Sequence, residues 1–76
     1  MTSEEISVAV GKRIALRRHE LGLSLAQMSE RCGVSLQQIH KYETGQSTVS
    51  APMLVKLAAC LDVSPSYFLE DFQVKS

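Results

Sequence analysis

The stretch GVSLQQIHKYETG, Gly33 to Gly45, decides how this chain folds. Gly33 opens a turn, Val34 points inward, Ser35 caps a helix over Leu36 to Glu43, and Gly45 closes it. At about 100° per residue, Tyr42 and Glu43 fall on the side of Ile39, with Leu36 at the edge. Gln37, Lys41 and Thr44 lie opposite, flanked by Gln38 and His40. That outer stripe carries amides, an ammonium and a hydroxyl, and no carboxylate. A solvated helix face ordinarily mixes both charge signs. A stripe without acids can hydrogen-bond base edges and phosphates without repelling the phosphates.

Upstream, apolar residues recur at helical spacing and strand alternation is absent. A first helix is expected from Ser3 to Leu21, with Ile6, Val10, Ile14 and Leu21 on its inner stripe and Gly22 as a left-handed stop. Ser24 caps a second helix, Leu25 to Arg31, with Met28 and Cys32 inward. The second helix and the one in the opening stretch are therefore joined by three residues, and Ser29 is small where they must approach. This is the sequence form of a helix-turn-helix. Downstream, Gln46 to Val49 is a polar loop. Ser50 caps a fourth helix, Ala51 to Leu61, with Leu54, Leu57, Ala58 and Leu61 in its stripe and Pro52 in its first turn. Ser64 and Pro65 open a fifth short helix to Glu70, with Phe68 as its core residue. The expected fold is all-α, one domain over residues 1–76 with a core from 6 to 70 and a tail from 71 to 76.

A chain of 76 residues buries a modest core, about 60% of the surface its unfolded form exposes. Net charge is zero, which argues against an indiscriminate polyanion binder. The distribution is uneven: seven bases against three acids from Gly11 to Lys56, with the other five acids toward the ends against a single base, Lys75. One face of the molecule is expected to be basic. No secretory signal or membrane-length apolar run is visible, so a soluble, cytoplasmic chain without a membrane partner is expected. Cys32 and Cys60 each sit in an apolar helical pattern, outside any cysteine-rich framework. They are expected to be two reduced, buried thiols. Cys32, Cys60, His19 and His40 do not pair at zinc-motif spacings, and no catalytic motif or glycine-rich phosphate loop occurs. Neither an enzyme, a metal, a cofactor nor a small-molecule ligand is expected.

In order along the chain stand GKRI (Gly11 to Ile14), GLS (Gly22 to Ser24), Ser29, GVS (Gly33 to Ser35), Ile39, YETG (Tyr42 to Gly45), LVKLAACLDVS (Leu54 to Ser64) and Phe68-Leu69. With these motifs at this spacing, the chain resembles the Cro/repressor family of helix-turn-helix regulators, the lambda-repressor-like fold, over about Val10 to Leu69. LQQIHKYETG is also similar to small regulators common in alphaproteobacteria. The resemblance implies a five-helix bundle that binds operator DNA as a homodimer, with the third helix in the major groove. By position, it makes Leu36, Gln37 and Lys41 the base-reading residues, supported by Gln38 and His40. It puts backbone contacts at the start of the second helix, at Thr44 and at Gln46, Ser47 and Thr48. It pairs Arg18 with Glu43 and sets a two-fold interface near the fifth helix. Leu25 and Leu36 stand where the family commonly has Gln and a polar residue.

The residue types bear on each role. A Gln amide matches adenine N6 and N7, and a Lys ammonium matches guanine O6 and N7. Leu36 is placed either to touch a thymine methyl or to lie against the second helix. Arg17, with Lys12 and Arg13, is a candidate for phosphate contacts or for ordinary solvated charge. Tyr67, Leu69, Phe72 and Val74 leave apolar surface at the C-terminal end, placed either for a homodimer interface or, with Phe68 and Leu69 completing the core, as plain tail. The expected function is sequence-specific binding of double-stranded DNA at a near-palindromic operator, as a repressor. The alternative is a protein-interaction module on the same fold, antitoxin-like or coactivator-like. The neutral charge, Leu25 and Leu36 favour that alternative.

Overall fold

The computed structural model describes residues 1–72. Four α-helices, α1 (Ser3–Glu20), α2 (Leu25–Cys32), α3 (Leu36–Glu43) and α4 (Ala51–Cys60), are followed by a 3-10 helix, Pro65–Phe72. Each α-helix begins at a hydroxyl cap. Thr2 and Ser24 form complete capping boxes with Glu5 and Gln27, while Ser35 and Ser50 accept from the backbone N–H groups of Gln38 and Met53.

The helices end as locally as they begin. The N–H of Leu23 donates to the Arg18 carbonyl, that of Gln46 to Lys41 and that of Val63 to Ala58. These are the 6→1 bonds of Schellman turns, and they require a left-handed residue one step earlier. Gly22 and Gly45 supply it at two of the turns, at φ 68° and 79°. At the third, Asp62 adopts φ 58°, a conformation that Asp tolerates better than most non-glycine residues.

The core gathers Val10 and Ile14 from α1, Met28 and Cys32 from α2, Val34 from the turn, and Ile39 and Tyr42 from α3. Leu57 and Ala58 from α4, Leu61, and Phe68 from the 3-10 helix complete it. Phe68, Ile14, Met28, Ile39, Leu57 and Leu61 are fully buried. All the expected helices are present, with ends within two residues of expectation.

The inner face of α1 departs from the expected stripe. Ile6 is exposed, and the buried residues are Ser7, Val10, Gly11 and Ile14. The cause is how near α3 and the following loop come to α1. Ser7 Oγ lies 3.2 Å from Thr48 Oγ1. At Gly11 an added Cβ would fall 2.8 Å from the Glu43 carbonyl oxygen and nearer still to that of Tyr42. Small residues occupy this seam because backbone carbonyls lie across from Gly11 and a hydroxyl lies across from Ser7. An apolar pattern weights Ile6 and overlooks Ser7 and Gly11.

The cysteines also depart from expectation. Cys32 and Cys60 are not free thiols; they form a disulfide with Cα atoms 5.6 Å apart. They end α2 and α4, two helices in contact, so a separation of 28 residues in sequence becomes adjacency in space. Composition alone carries no trace of that adjacency.

Candidate nucleic-acid interface

The geometry that matters is how α3 is held and what it turns outward. Its entry is fixed by the α2–α3 turn. Gly33 is the left-handed stop of α2 at φ 67°, and its N–H donates to the Ser29 carbonyl. Ser29 Oγ in turn donates to the Val34 carbonyl at 2.7 Å, so one small side chain clamps both sides of the turn. Val34 fills the core and Ser35 caps α3.

The other end of α3 is tied to α1. Arg18 Nε donates to Glu43 Oε2 at 2.7 Å and Arg18 Nη2 to Oε1 at 3.0 Å, a two-pronged pair with side chains only 11% and 8% exposed. Arg18 Nη1 donates to the Leu23 carbonyl, which brings the α1–α2 turn into the same knot. The hydrogen bonds to Glu43, aided by its charge, hold the Arg18 guanidinium above its ordinary range against the opposing effect of burial.

With Ile39 and Tyr42 buried, α3 turns Leu36, Gln37, His40 and Lys41 to solvent and leaves Gln38 half-buried. Leu36 is 39% exposed. Glu43, the only acid of α3, is taken up by Arg18, so the outward face carries no free carboxylate. Thr44 lies at its end with its hydroxyl bonded back to the His40 carbonyl. Gln46 and Thr48 are exposed and Ser47 is half-buried; the N–H groups of Gln46 and Ser47 both point at the Lys41 carbonyl. Residues 36, 37, 40, 41, 44, 46 and 48 are thus the exposed positions from Leu36 to Thr48, all polar but Leu36.

The arginines of α1 stand elsewhere. Arg17 Nε donates to the Leu61 carbonyl at 2.9 Å and Nη2 to that of Asp62, so it stitches α1 to the left-handed stop of α4. Arg13 lies over the Tyr67 ring, donates to the Tyr67 carbonyl and pairs with Glu70. The exposed basic residues of the central stretch are Lys12, Arg31, Lys41 and Lys56. The basic face expected from sequence counts is therefore thinner, because three arginines bind the frame together. The carbonyl partners of Arg13 and Arg17 have no local sequence signature. Gly11 did have one, a glycine inside a helix, where it costs about 1 kcal/mol relative to Ala.

At the C-terminal end, Leu69 is 41% exposed, while Tyr67 and Phe72 are half-buried against the core. The Tyr67 hydroxyl donates to Glu20 Oε1 at 2.9 Å. Burial first, and this bond second, hold the phenol above its ordinary pKa, with Arg13 and Arg17 acting the other way. Val74 lies outside the described residues. Among the described residues no helix is long and apolar enough to cross a membrane, and no group of three metal-ligating side chains forms.

Comparison with known proteins places this geometry. The model of a family described as helix-turn-helix matches residues 14–68. The chain belongs to that family, the Cro/CI-like helix-turn-helix transcriptional regulators. It is 42% identical over 66 residues to an uncharacterised HTH-type transcriptional regulator of Sinorhizobium fredii, covering 87% of this chain and 46% of the relative. It is 34% identical over 55 residues to the cryptic phage CTXphi transcriptional repressor RstR of Vibrio cholerae, covering 72% of this chain and 49% of that one. Among solved structures it superposes on the restriction-modification controller protein C.AhdI of Aeromonas hydrophila with a TM-score of 0.77 and 31% identity, over 82% of this chain and 94% of that one. The chain spans about half the length of the curated regulators it matches. The family and these relatives are regulators rather than enzymes.

Proposed function

We propose that this helix-turn-helix chain binds double-stranded DNA sequence-specifically and acts as a repressor, as a homodimer on a near-palindromic operator. The observation that carries this is the acid-free outer face of α3, presented on a helix fixed at both ends. Gln37 and Lys41 read base edges from the major groove, and Leu36 meets a thymine methyl. Gln38, His40, Thr44, Gln46, Ser47 and Thr48 bear on flanking phosphates. Arg17 is left out of this set because its guanidinium is engaged on the carbonyls that end α4. The repressor role draws on the likeness to RstR, which is named as a transcriptional repressor. Dimerisation draws on exposed Leu69 beside Tyr67 and Phe72. Two copies would set their reading helices about 34 Å apart, one turn of duplex. The work would be done where the DNA is, in the bacterial cytoplasm.

Selection of bound sites from a random duplex library tests the proposal. The expected result is a pair of inverted half-sites one helical turn apart, with affinity that falls steeply with salt. Lys41→Ala and Gln37→Ala are each expected to lower the ratio of specific to non-specific affinity, by about 1–3 kcal/mol of discrimination at one base position. Unchanged ratios for both variants would reject the assignment. Exposed Leu36, with Arg13, Arg17 and Arg18 engaged internally, favours a second reading, a protein partner on the same face. Failure to recover any selected site would favour it.

A further inference from the structure

We propose that Cys32 and Cys60 are a reversible redox site that sets the position of the reading helix; this rests on the DNA-reading role proposed above. Cys32 is 5% exposed and ends α2, one residue before the left-handed Gly33 that launches α3. Cys60 ends α4 and is partly exposed. In the compartment that holds bacterial DNA, thiols are kept reduced, and the disulfides that do form there are usually transient and redox-sensing or catalytic. A pair poised to close, with one sulfur reachable from solvent, fits that use.

The chemistry balances with a peroxide as oxidant. The Cys60 thiol gives up its proton and attacks a peroxide oxygen, the O–O bond breaks, and Cys60 becomes a sulfenic acid while the leaving hydroxide takes up that proton and departs as water. The Cys32 thiol then attacks Cys60 Sγ, forming the S–S bond and breaking S–O, and a second water leaves. Two thiols and one hydrogen peroxide give one disulfide and two waters, a two-electron oxidation of the pair. A dithiol reverses it through a mixed disulfide at Cys60, leaves Cys32 as the thiol and itself becomes the oxidised product.

The structure assigns the consequence to one end of α3. Opening the bond removes the covalent tie between the ends of α2 and α4 and lets the two sulfurs part. The end of α4 is held to α1 by Arg17 on the Leu61 and Asp62 carbonyls, and the C-terminal end of α3 is held to α1 by Arg18 on Glu43. The displacement therefore falls on the end of α2 and the three-residue turn, and through them on Leu36 and Gln37. The oxidised chain keeps those side chains in register for reading; the reduced chain relaxes them.

The test compares two forms of the same 76-residue chain, one treated with hydrogen peroxide and one with dithiothreitol. A portion of each is unfolded in guanidinium, alkylated with iodoacetamide and weighed, and the unalkylated remainder is titrated by fluorescence anisotropy against a duplex recovered by selection and against random-sequence duplex. The peroxide-treated chain is expected to stay monomeric in mass and unalkylated. The reduced chain is expected to take two labels and to bind the selected duplex on the order of tenfold more weakly, with random-duplex affinity little changed. Circular dichroism of both forms separates this from unfolding, and Cys60→Ala is expected to abolish the response to peroxide. Two alkylated cysteines after peroxide, or equal discrimination in the two folded forms, would overturn the proposal. Absence of selective binding in both forms would instead refute the DNA-reading role, and the coupling with it.

Discussion

The two ends of α3 are held by different chemistry. At its C-terminal end, a buried two-pronged ion pair and a glycine seam fasten it to α1, and neither involves a cysteine. At its N-terminal end, the turn depends on the Ser29 hydroxyl and on a cysteine bonded to α4. One attachment is built from many short-range contacts that fail together. The other is a covalent bond that is either made or not. The difference teaches that the two ends of one helix can be loosened separately, one by substitution and the other by reduction.

The sharpest way to break this contrast is to remove one member of the ion pair. Glu43→Ala leaves the Arg18 guanidinium in a place where little water reaches it, and is expected to cost on the order of 3 kcal/mol. That is a large share of the roughly 5–15 kcal/mol that holds a small domain together. Replacing both partners, as in Arg18→Met with Glu43→Leu, should cost less than the single change, because no charge is left stranded. Urea unfolding of the four chains of the cycle measures this. A coupling energy near zero would mean that the C-terminal end is held by the seam alone.

Reducing the disulfide comes next. The bond closes a loop of 28 residues, and on chain entropy alone its loss is expected to cost about 3–4 kcal/mol, read as a fall in Tm on the order of 10 °C or more. Cys32→Ala should lie a little below the reduced wild type, since it loses the buried sulfur as well as the bond. A reduced chain that melts with the oxidised one would show that the unfolded state gains nothing from being freed.

These two attachments were unequally legible in the sequence. Helix caps are written in four consecutive residues, so Ser24, Ser35 and Ser50, and the glycine stops at 22, 33 and 45, could be read directly, and with them the helix boundaries. Ile39 and Tyr42 announce the inner face of α3 by spacing, and that spacing leaves Gln37 and Lys41 outside. The arrangement of Arg18 toward Glu43 was accessible through the ordered motifs of a family. Nothing local announces that Cys60 ends beside Cys32, or that Arg17 will find the Leu61 carbonyl 44 residues away. Those facts follow from how the helices cross. Periodicity counts apolar side chains, so it chose Ile6 and passed over Ser7 and Gly11, where the close neighbours are a hydroxyl and backbone carbonyls.

Gly11 gives the third test. Ala is a better helix former by about 1 kcal/mol, so in an open position Gly11→Ala would stabilise. Here its Cβ would press on the carbonyls of Tyr42 and Glu43, and overpacking of this kind costs about 1–3 kcal/mol. A net destabilisation is expected, together with weaker discrimination between duplexes, since the shift is passed to α3. A net gain in stability would show that α1 and α3 can separate at no expense, and that the C-terminal attachment is as adjustable as the other.

The smallest effect lies away from α3 and serves as a check on the frame. The Tyr67 phenol is raised in the folded chain, by burial and by its bond to Glu20, above the value near 10 that it has when unfolded. The folded state therefore prefers the neutral form. Its contribution is complete below about pH 10 and is lost as pH rises through the folded value, because the unfolded chain then ionises more readily than the native one. Wild type should lose stability over that limb faster than Tyr67→Phe, which has no proton to release. The ring stays over Arg13 in both chains, so packing is matched and the two differ in the hydroxyl alone. Parallel curves above pH 10 would mean that the hydroxyl is as free in the folded chain as in the unfolded one, and that the 3-10 helix is held to α1 by Phe68 and Arg13 without it.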